Sequence, residues 1–505
     1  MTSGRAAVFV NADVTTLNPA MPRATGVMVE SGKIARLLDN HPTGLPKHVD
    51  VVDCRGAAIV PGFHDCHVHL TDTGLLAGDH DLHDCPDIAS MLARVGALSD
   101  EAVFAGNYED EHIAQRRPPT IGELDGVAGD RPVLLTRLDG HSCVVNSAAL
   151  ALVGVDQLEG IERDEEGRPS GRLFGPANYA SQLAFLRALP DALKREADER
   201  AAAIALRQGI TTAHHVIAYD PPIESLEAQY RADAALPIRV ISKACTTSVA
   251  KARRLGGRVF GGDIFVDGSI GSRTAALEHE YRDGAGAGSL YLDRGQLTEL
   301  FDEAAEAGLS LGVHAIGDRA IEEAIAAWEA VIAKRGPLQS VRPSIDHFEI
   351  AHGDQIARAG RCGMLLSMQP TFDYLWGGDD AMYAQRLGKQ RALGMNLFKT
   401  AKRAGCTICA GSDSPVTKFS ALLGIQSLVD HHVPAERFGV EEALRAYCAD
   451  AARLSFDEGR RGTLAAGMDA DFVLLERALD SVEPKEIGAV RVLATVVDGE
   501  IRYQV

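Results

Sequence analysis

The stretch Pro61-Gly-Phe-His-Asp-Cys-His-Val-His-Leu70 ends an apolar run, bounded by proline and glycine, with two histidines that stand two residues apart. Side chains at this spacing on an extended strand point to the same side, so the imidazoles of His67 and His69 can converge on one ion. Such pairs also arise by chance, and an isolated one is more often a core or surface feature. The stretch therefore predicts a strand that ends in polar chemistry, and the rest of the chain must supply partners.

Further apolar, strand-like runs alternate with helical stretches such as Asp191–Gln208. That alternation is typical of a parallel sheet in an α/β fold, and the number of runs suits a (β/α)8 TIM-like barrel. Polar residues end each run, at the edge where barrel active sites lie. The predicted strand ends are His67–His69, Thr211–His215, Arg239–Ser242, Ile264–Asp267, Leu311–His314, Ser344–His347, Met364–Gln369 and Ile408–Asp413.

Short strands separated by turn residues occupy both ends of the chain. We predict that residues 1–58 and 460–505 form one small β-sandwich domain and that residues 59–459 form the barrel. Residues 71–206 are too many for an ordinary connection between a strand and a helix. They are predicted to form an insertion after the first barrel strand, near the barrel mouth, either as a cap over the substrate or as an unrelated surface subdomain.

Composition excludes several classes of function. The chain has 505 residues and a formal net charge of -19, a field that repels nucleic acid and anionic lipid. No apolar run reaches the length of a signal peptide core or a membrane span. The nine cysteines form no dense framework and are expected to be thiols in a reducing compartment. We therefore predict a cytoplasmic protein without a nucleic-acid or membrane partner; a homodimer is left open.

Three later strand ends also carry residues that bind metals. His314 lies in Gly312-Val-His-Ala-Ile-Gly-Asp-Arg-Ala320, His347 in Ile345-Asp-His-Phe-Glu349, and Asp413 in Cys409-Ala-Gly-Ser-Asp-Ser-Pro415. Each alone could be a satisfied core residue or a helix cap. Together with the first pair they make a set rich in nitrogen with one carboxylate, which suits Zn²⁺ or a similar divalent ion.

An ordered series of motifs resembles the amidohydrolase superfamily over nearly the whole length, in the branch that includes N-substituted formamide deformylase. The resemblance rests on Pro61–Leu70, Asp139-Gly-His-Ser142, Asn146-Ser-Ala-Ala-Leu150, Gly209-Ile-Thr-Thr212, Phe265-Val-Asp-Gly-Ser-Ile-Gly-Ser-Arg-Thr-Ala-Ala-Leu277, His314-Ala-Ile-Gly-Asp-Arg-Ala320, His347-Phe-Glu349, Gly411-Ser-Asp-Ser-Pro415 and Gly467-Met-Asp-Ala-Asp471.

The resemblance implies a barrel with a composite β-sandwich and assigns the metal ligands. His67 and His69 would bind from the first strand, His314 from the fifth and Asp413 from the eighth. His347, from the sixth strand, would either bind a second metal or contact the substrate and the nucleophile.

One position departs from the family. Many relatives carry in the fourth strand a lysine that is carboxylated and bridges two metals, and this chain has Asp263 there. Aspartate is too short to reach the bridging place from the same backbone point, so either one metal suffices or the bridge comes from elsewhere. Asp267, on the same strand face, and Lys243, ending the third strand, are further candidates, although a salt bridge suits Lys243 better. These considerations favour a single zinc-like ion, with two ions as the alternative.

The predicted activity is hydrolysis of a C–N bond, of the amide or formamide type and other than a peptide bond, in a small molecule. The ion would activate water, Asp413 would move the proton to the leaving nitrogen, and His347 would steady the water or the oxyanion. Two alternatives remain, hydrolytic deamination of a heterocycle and a non-catalytic scaffold of the same fold.

Several other polar and aromatic residues are candidates for contacts with the substrate, with structural hydrogen bonding or packing as the competing interpretation. Glu109-Asp-Glu-His112 is instead expected to be solvated. The candidates for substrate binding are His141, Asp267, Arg273, Gln369 and Trp376.

Overall fold

A computed structural model of the chain describes residues 6–39, 49–154, 158–338 and 340–505. Eight parallel strands run through its centre and are numbered here in chain order. They are β1 (Phe63–Val68), β2 (Ile210–Ile217), β3 (Arg239–Ala244), β4 (Val259–Phe265), β5 (Ser310–Ala315), β6 (Ser344–His347), β7 (Leu365–Met368) and β8 (Thr407–Ala410).

The eight strands form two ladders, β3-β2-β1 and β4-β5-β6-β7-β8. At one seam the end of β1 is tied to the segment after β8, because the Asp413 N–H donates to the His67 carbonyl at 2.7 Å. At the other seam, within the described residues, β3 and β4 share no ladder. The α/β class and the positions of the eight predicted strands are confirmed, but a closed barrel is not, because the described residues form no ladder between β3 and β4.

Helices follow the strands and cover them. The helix Arg294–Glu306 begins with a capping box, in which the Asp293 carboxylate accepts from the Gln296 N–H at 2.9 Å. Its Phe301 stacks on Trp328 of the next helix, with ring centroids 4.2 Å apart. The helices from residue 191 onward are Asp191–Arg207, Ile223–Asp233, Val249–Leu255, Arg294–Glu306, Asp318–Arg335, Gly353–Arg361, Pro370–Trp376, Met382–Leu387, Lys389–Ala392, Phe398–Ala404, Ala421–Val429, Val440–Ala446 and Ala449–Leu454.

Strands from both chain ends share one sheet. Phe472–Leu475 pairs antiparallel with Ala58–Pro61, which leads directly into β1. Phe9, from a second sheet, meets Phe472 edge to face at 4.8 Å, so the two sheets share a core. The first sheet has the order Glu500–Gln504, Val492–Val497, Phe472–Leu475, Ala58–Pro61, Asp13–Thr15, Arg23–Ala24, and the second the order Lys33–Leu38, Gly26–Glu30, Ala7–Val10, Asp50–Asp53.

The stretch between β1 and β2 contains a sheet of its own. Its strands, in spatial order, are Ile161–Arg163, Pro169–Phe174, Ser142–Val145, Val133–Arg137 and Val103–Tyr108. The helices between β1 and residue 190 are Leu70–Leu75, Ile88–Ala97, Ile121–Ala128, Ser147–Val153 and Gly175–Ala188.

All nine cysteines are free thiols, as predicted. In the described part of the chain, no helix combines the length and the apolar character needed to cross a bilayer.

Candidate metal centre

Four imidazoles surround the Asp263 carboxylate at the carboxyl ends of the strands. Asp263 Oδ1 lies 3.4 Å from His67 Nε2 and 3.6 Å from both His314 Nδ1 and His347 Nε2, and Asp263 Oδ2 lies 3.2 Å from His69 Nε2. Asp413 Oδ1 lies 3.5 Å from His67 Nε2 and 3.1 Å from His69 Nε2. The five predicted ligands therefore meet in one place, together with Asp263.

In each of the four imidazoles, the outer nitrogen, which is the ring nitrogen that points away from Asp263, faces an oxygen of the protein. His67 Nδ1 lies 2.8 Å from Asp346 Oδ1, and His347 Nδ1 lies 2.7 Å from Gln369 Oε1. His69 Nδ1 and His314 Nε2 face the backbone carbonyls of Val216 and Gly268, at 3.0 and 3.1 Å. Because these oxygens accept hydrogen bonds, each outer nitrogen carries the proton and each inner nitrogen offers its lone pair to the centre.

The nitrogen and oxygen atoms that face the centre are arranged as ligands of a metal ion and not as hydrogen-bond partners of one another. His67 Nε2, His314 Nδ1, His347 Nε2, Asp263 Oδ1 and Asp413 Oδ1 are all buried without a hydrogen-bond partner. Two donor atoms that each lie about 2.1 Å from a tetrahedral ion are about 3.4 Å from one another. The separations of 3.1 to 3.6 Å around Asp263 and Asp413 match that spacing. The donors present therefore suit Zn²⁺ or a similar divalent ion.

The expectation that an aspartate at position 263 is too short to reach this place is wrong. Its carboxylate touches all four histidines, as the distances above show. Lys243, the other candidate for a bridge, forms an ion pair with Asp346 instead, with Nζ 3.5 Å from Oδ1. Lys243 Nζ and His67 Nδ1 therefore share the same carboxylate oxygen, Asp346 Oδ1.

The carboxylates control protonation of the imidazoles. Burial lowers the pKa of His67, but the charges of Asp263 and Asp413 outweigh burial and raise this pKa to about 9. In the same way, burial raises the pKa of Asp413, and His67 and His69 more than reverse the effect and lower it. The centre is therefore built to hold positive charge, which protons supply when no ion is bound.

Two residues of the centre have strained backbones. His347 has φ 73° and Asp413 has φ 56°, in the left-handed region that few residues other than glycine adopt. Such strain persists where the surrounding structure holds it, and it clusters at functional sites.

A cavity of about 50 Å³ lies against the centre, and residues of the stretch between β1 and β2 line part of it. His141 Nδ1 lies 2.6 Å from the Tyr179 hydroxyl, and the His141 ring centroid is 5.0 Å from that of His314. Tyr179 also stacks on Phe265, at 4.4 Å, which holds both side chains in place. His141 therefore lines the cavity beside the candidate metal centre, and its contact with a substrate stays a prediction.

The other four predicted substrate contacts have different surroundings. Trp376 lines an adjoining cavity of about 30 Å³ and donates from Nε1 to Glu109 Oε1 at 3.1 Å. Gln369 lies behind His347 as its hydrogen-bond partner. Asp267 accepts from the backbone N–H groups of Ile316, Gly317 and Ala276, and Arg273 pairs with Asp283 at 2.8 Å. Of these four, only Trp376 lines a cavity next to the centre.

The sequence did not reveal two residues near the centre. Asp346 precedes His347 and could have been noticed as an acid beside a predicted ligand. Glu109 was expected to be solvated, which is wrong: it is 6% exposed and accepts from Trp376. A run of charged residues gives no signal that one of its members turns inward.

Comparison with known proteins places the chain in a family. The sequence profile of the amidohydrolase family matches residues 50–503. The chain is 29% identical to YtcJ of Bacillus subtilis (strain 168), over 95% of this chain and 94% of that protein. It is 27% identical to the N-substituted formamide deformylase of Arthrobacter pascens, over 100% of this chain and 99% of that protein.

A solved structure has the same fold. The crystal structure of an uncharacterized metal-dependent hydrolase from Pyrococcus horikoshii OT3 superposes with a TM-score of 0.76 and 23% identity, covering 95% of this chain and 99% of that one. The chain belongs to the amidohydrolase family, as its motifs indicated.

Proposed function

We propose that the protein is a metal-dependent hydrolase that cleaves a C–N bond, of the amide or formamide type, in a small molecule. The observation that carries this proposal is the set of four inward imidazole nitrogens around Asp263 and Asp413, next to a cavity. Membership of the amidohydrolase family and the similarity to a formamide deformylase support the same reaction. We further propose that the eight strands form a TIM-like barrel and that residues 1–58 and 460–505 form a β-sandwich.

A divalent ion, Zn²⁺ by the chemistry of its donors, would be held by His67, His69 and Asp413, with Asp263, His314 and His347 beside them. When bound, such an ion supplies Lewis acidity, which lowers the pKa of a water ligand from about 15.7 to about 7 and polarises a carbonyl group.

Asp413 is the residue best placed to move the proton. Its Oδ1 faces the centre, lies 3.1 Å from His69 Nε2 and has no hydrogen-bond partner of its own. His67 and His69 lower its pKa despite burial, so the carboxylate is ionised at neutral pH and can accept a proton from the attacking water. Returning that proton to the leaving nitrogen releases the amine and leaves the carboxylic acid.

His141 is the proposed donor to the carbonyl oxygen of the substrate. Burial lowers its pKa to about 3, so the ring is neutral at working pH. If the Tyr179 hydroxyl donates to Nδ1, the proton of the neutral ring stays on Nε2, where it can stabilise developing negative charge. His347 remains a candidate for steadying the water, through the Nε2 that faces Asp263.

The two alternatives make different predictions. A deaminase would release ammonia from an aminated heterocycle, and a scaffold would bind an ion without turnover. The intact donor set, with every outer nitrogen held, favours catalysis over a scaffold.

The test is a panel of N-substituted formamides, N-acyl amines, aminated heterocycles and an acyl-proline dipeptide, assayed with Zn²⁺-loaded protein. We expect amine release from the first two classes only. Asp413→Asn should lower kcat by about 10²–10⁴-fold while most of the metal content remains, because one of several donors is weakened but the proton carrier is gone. Ammonia from heterocycles without amide cleavage, or near-normal kcat in Asp413→Asn, would refute the proposal.

A further inference from the structure

The fourth strand leaves its ladder where Asp263 begins. Gly261 pairs with Gly312 of β5, and the next pair is Phe265 with His314, so residues 262–264 of β4 face a single residue of β5. The Asp263 N–H donates to Cys245 Sγ at 3.2 Å, so it takes no part in this ladder. This is a β-bulge, a device that redirects a side chain.

The bulge depends on two glycines. Gly261 and Gly262 have φ 82° and 103°, in the region that favours glycine. A Cβ at position 261 would lie 2.2 Å from the Gly312 carbonyl oxygen, and one at position 262 would crowd Val216 at 3.1 Å. The bulge thus carries Asp263, whose short side chain lies in the middle of four histidines.

The donors outnumber the positions of one tetrahedral ion. Four imidazole nitrogens and oxygens of Asp263 and Asp413 face the centre, while a catalytic Zn²⁺ uses three protein ligands and keeps one position open. Asp263 belongs to two clusters of potential ligands, and within each cluster the ligand atoms lie within 4.8 Å of one another. These clusters are His67 with His69 and Asp263, and Asp263 with His314 and His347.

We propose that Asp263 is a bridging ligand encoded in the sequence and that the centre holds two divalent ions. One ion would be held with His67, His69 and Asp413, and the other with His314 and His347. The inference rests on the proposed metal-dependent function and replaces the single ion favoured from sequence. Because the bridging carboxylate is already part of the side chain, assembly requires no carboxylation of a lysine by CO2; Lys243 is engaged with Asp346.

The experiment counts ions without any substrate. Protein stripped with a chelator is reloaded with Zn²⁺ in buffer depleted of CO2, and bound metal is measured by native mass spectrometry and elemental analysis. We expect two ions per chain for the wild type and one for Asp263→Asn. Asp72→Asn is the matched control, because it removes a carboxylate from the same cavity but none from the donor set, and it should keep two ions.

Electron paramagnetic resonance of protein loaded with Mn²⁺ gives an independent result. The wild type should show an exchange-coupled pair, and Asp263→Asn should show isolated ions. Saturation of the wild type at one ion, a second ion that binds only after bicarbonate is added, or a coupled pair in Asp263→Asn would each overturn the proposal. If Asp263→Asn does not fold, the wild-type count and spectrum decide the question.

Failure of this inference can be told apart from failure of the proposed function. Two coupled ions without turnover of any panel substrate would refute the hydrolase and leave the bridge intact. Hydrolysis by protein that holds one ion would refute the bridge and leave the hydrolase intact.

Discussion

Asp346→Asn tests whether the charge of Asp346, which faces His67 on the side opposite the metal centre, supports metal binding. Asp346 is 1% exposed, and its Oδ1 faces both His67 Nδ1, at 2.8 Å, and Lys243 Nζ, at 3.5 Å. Asparagine has nearly the same shape and can still accept from His67, but it carries no charge. The substitution therefore removes the charge on which both partners depend and leaves the packing in place.

Two separate losses are expected. Lys243, 3% exposed, becomes a buried cation without a counter-ion, and breaking a buried pair in this way costs about 3–5 kcal/mol of stability. His67 becomes a weaker ligand, and loss of such a supporting partner lowers metal affinity by about 10–100-fold, or about 1.4–2.7 kcal/mol.

A double variant separates the two losses. Lys243→Met combined with Asp346→Asn removes the unpaired charge, so the free energy of unfolding should recover while the metal affinity stays low. Asp233→Asn is the matched control: Asp233 is equally buried and pairs with His215 at 3.0 Å, and His215 is not in the donor set. It should lose stability and keep its metal affinity.

The measurements are urea unfolding of chelator-treated protein and Zn²⁺ competition against a chromophoric chelator. If the double variant recovered wild-type metal affinity together with its stability, Asp346 would act only through the fold. The same would follow if Asp233→Asn weakened the metal as much as Asp346→Asn does.

Three further predictions concern catalysis and pH. His141→Gln should lower kcat by about 10²–10³-fold with little change in KM, because the proposed donor acts on the oxyanion; an effect on KM alone in steady-state kinetics would contradict this. Asp263 and Asp413 raise the pKa of His67 to about 9, so protons compete with the ion up to that pH. The apparent Zn²⁺ affinity should therefore keep rising from pH 7 to 9. A plateau already at pH 7 would show that protons do not compete with the ion above that pH. Burial lowers the pKa of His64 to about 3. Below about pH 6.5, His64 is therefore protonated in the unfolded chain and neutral in the native state. The resulting stability is complete above pH 6.5 and is lost as the pH falls, by about 2 kcal/mol at pH 5, so His64→Gln should flatten the urea-unfolding free energy over this range; an unchanged slope would contradict the assignment.

The sequence predicted the elements that repeat a pattern. Alternating apolar strands and helices gave the positions of the eight parallel strands, and each predicted ligand lies at or just beyond a strand end. Two of the short strands predicted near the start of the chain pair as a hairpin, Gly26–Glu30 with Lys33–Leu38. These features depend on local periodicity, which the chain carries in every segment.

Features that depend on register and partners were not predicted. The reach of Asp263 comes from a bulge between β4 and β5, and a Gly-Gly pair in a sequence marks a turn as readily as a bulge. Gln369 follows β7 as expected, but which way it faces is decided by His347. The φ of 73° at His347 also breaks the alternation of a strand, so faces cannot be assigned by counting residues there.

The sheet built from both chain ends cannot be completed until late in synthesis. Ala58–Pro61, the strand that leads into the first histidines, pairs with Phe472–Leu475, which is made more than four hundred residues later. At about 5–20 residues per second, the early strand waits roughly 20–80 s for this partner. During that interval one edge of an apolar strand next to the candidate metal centre has no partner, and the nascent chain should therefore depend on chaperones until Phe472–Leu475 emerges.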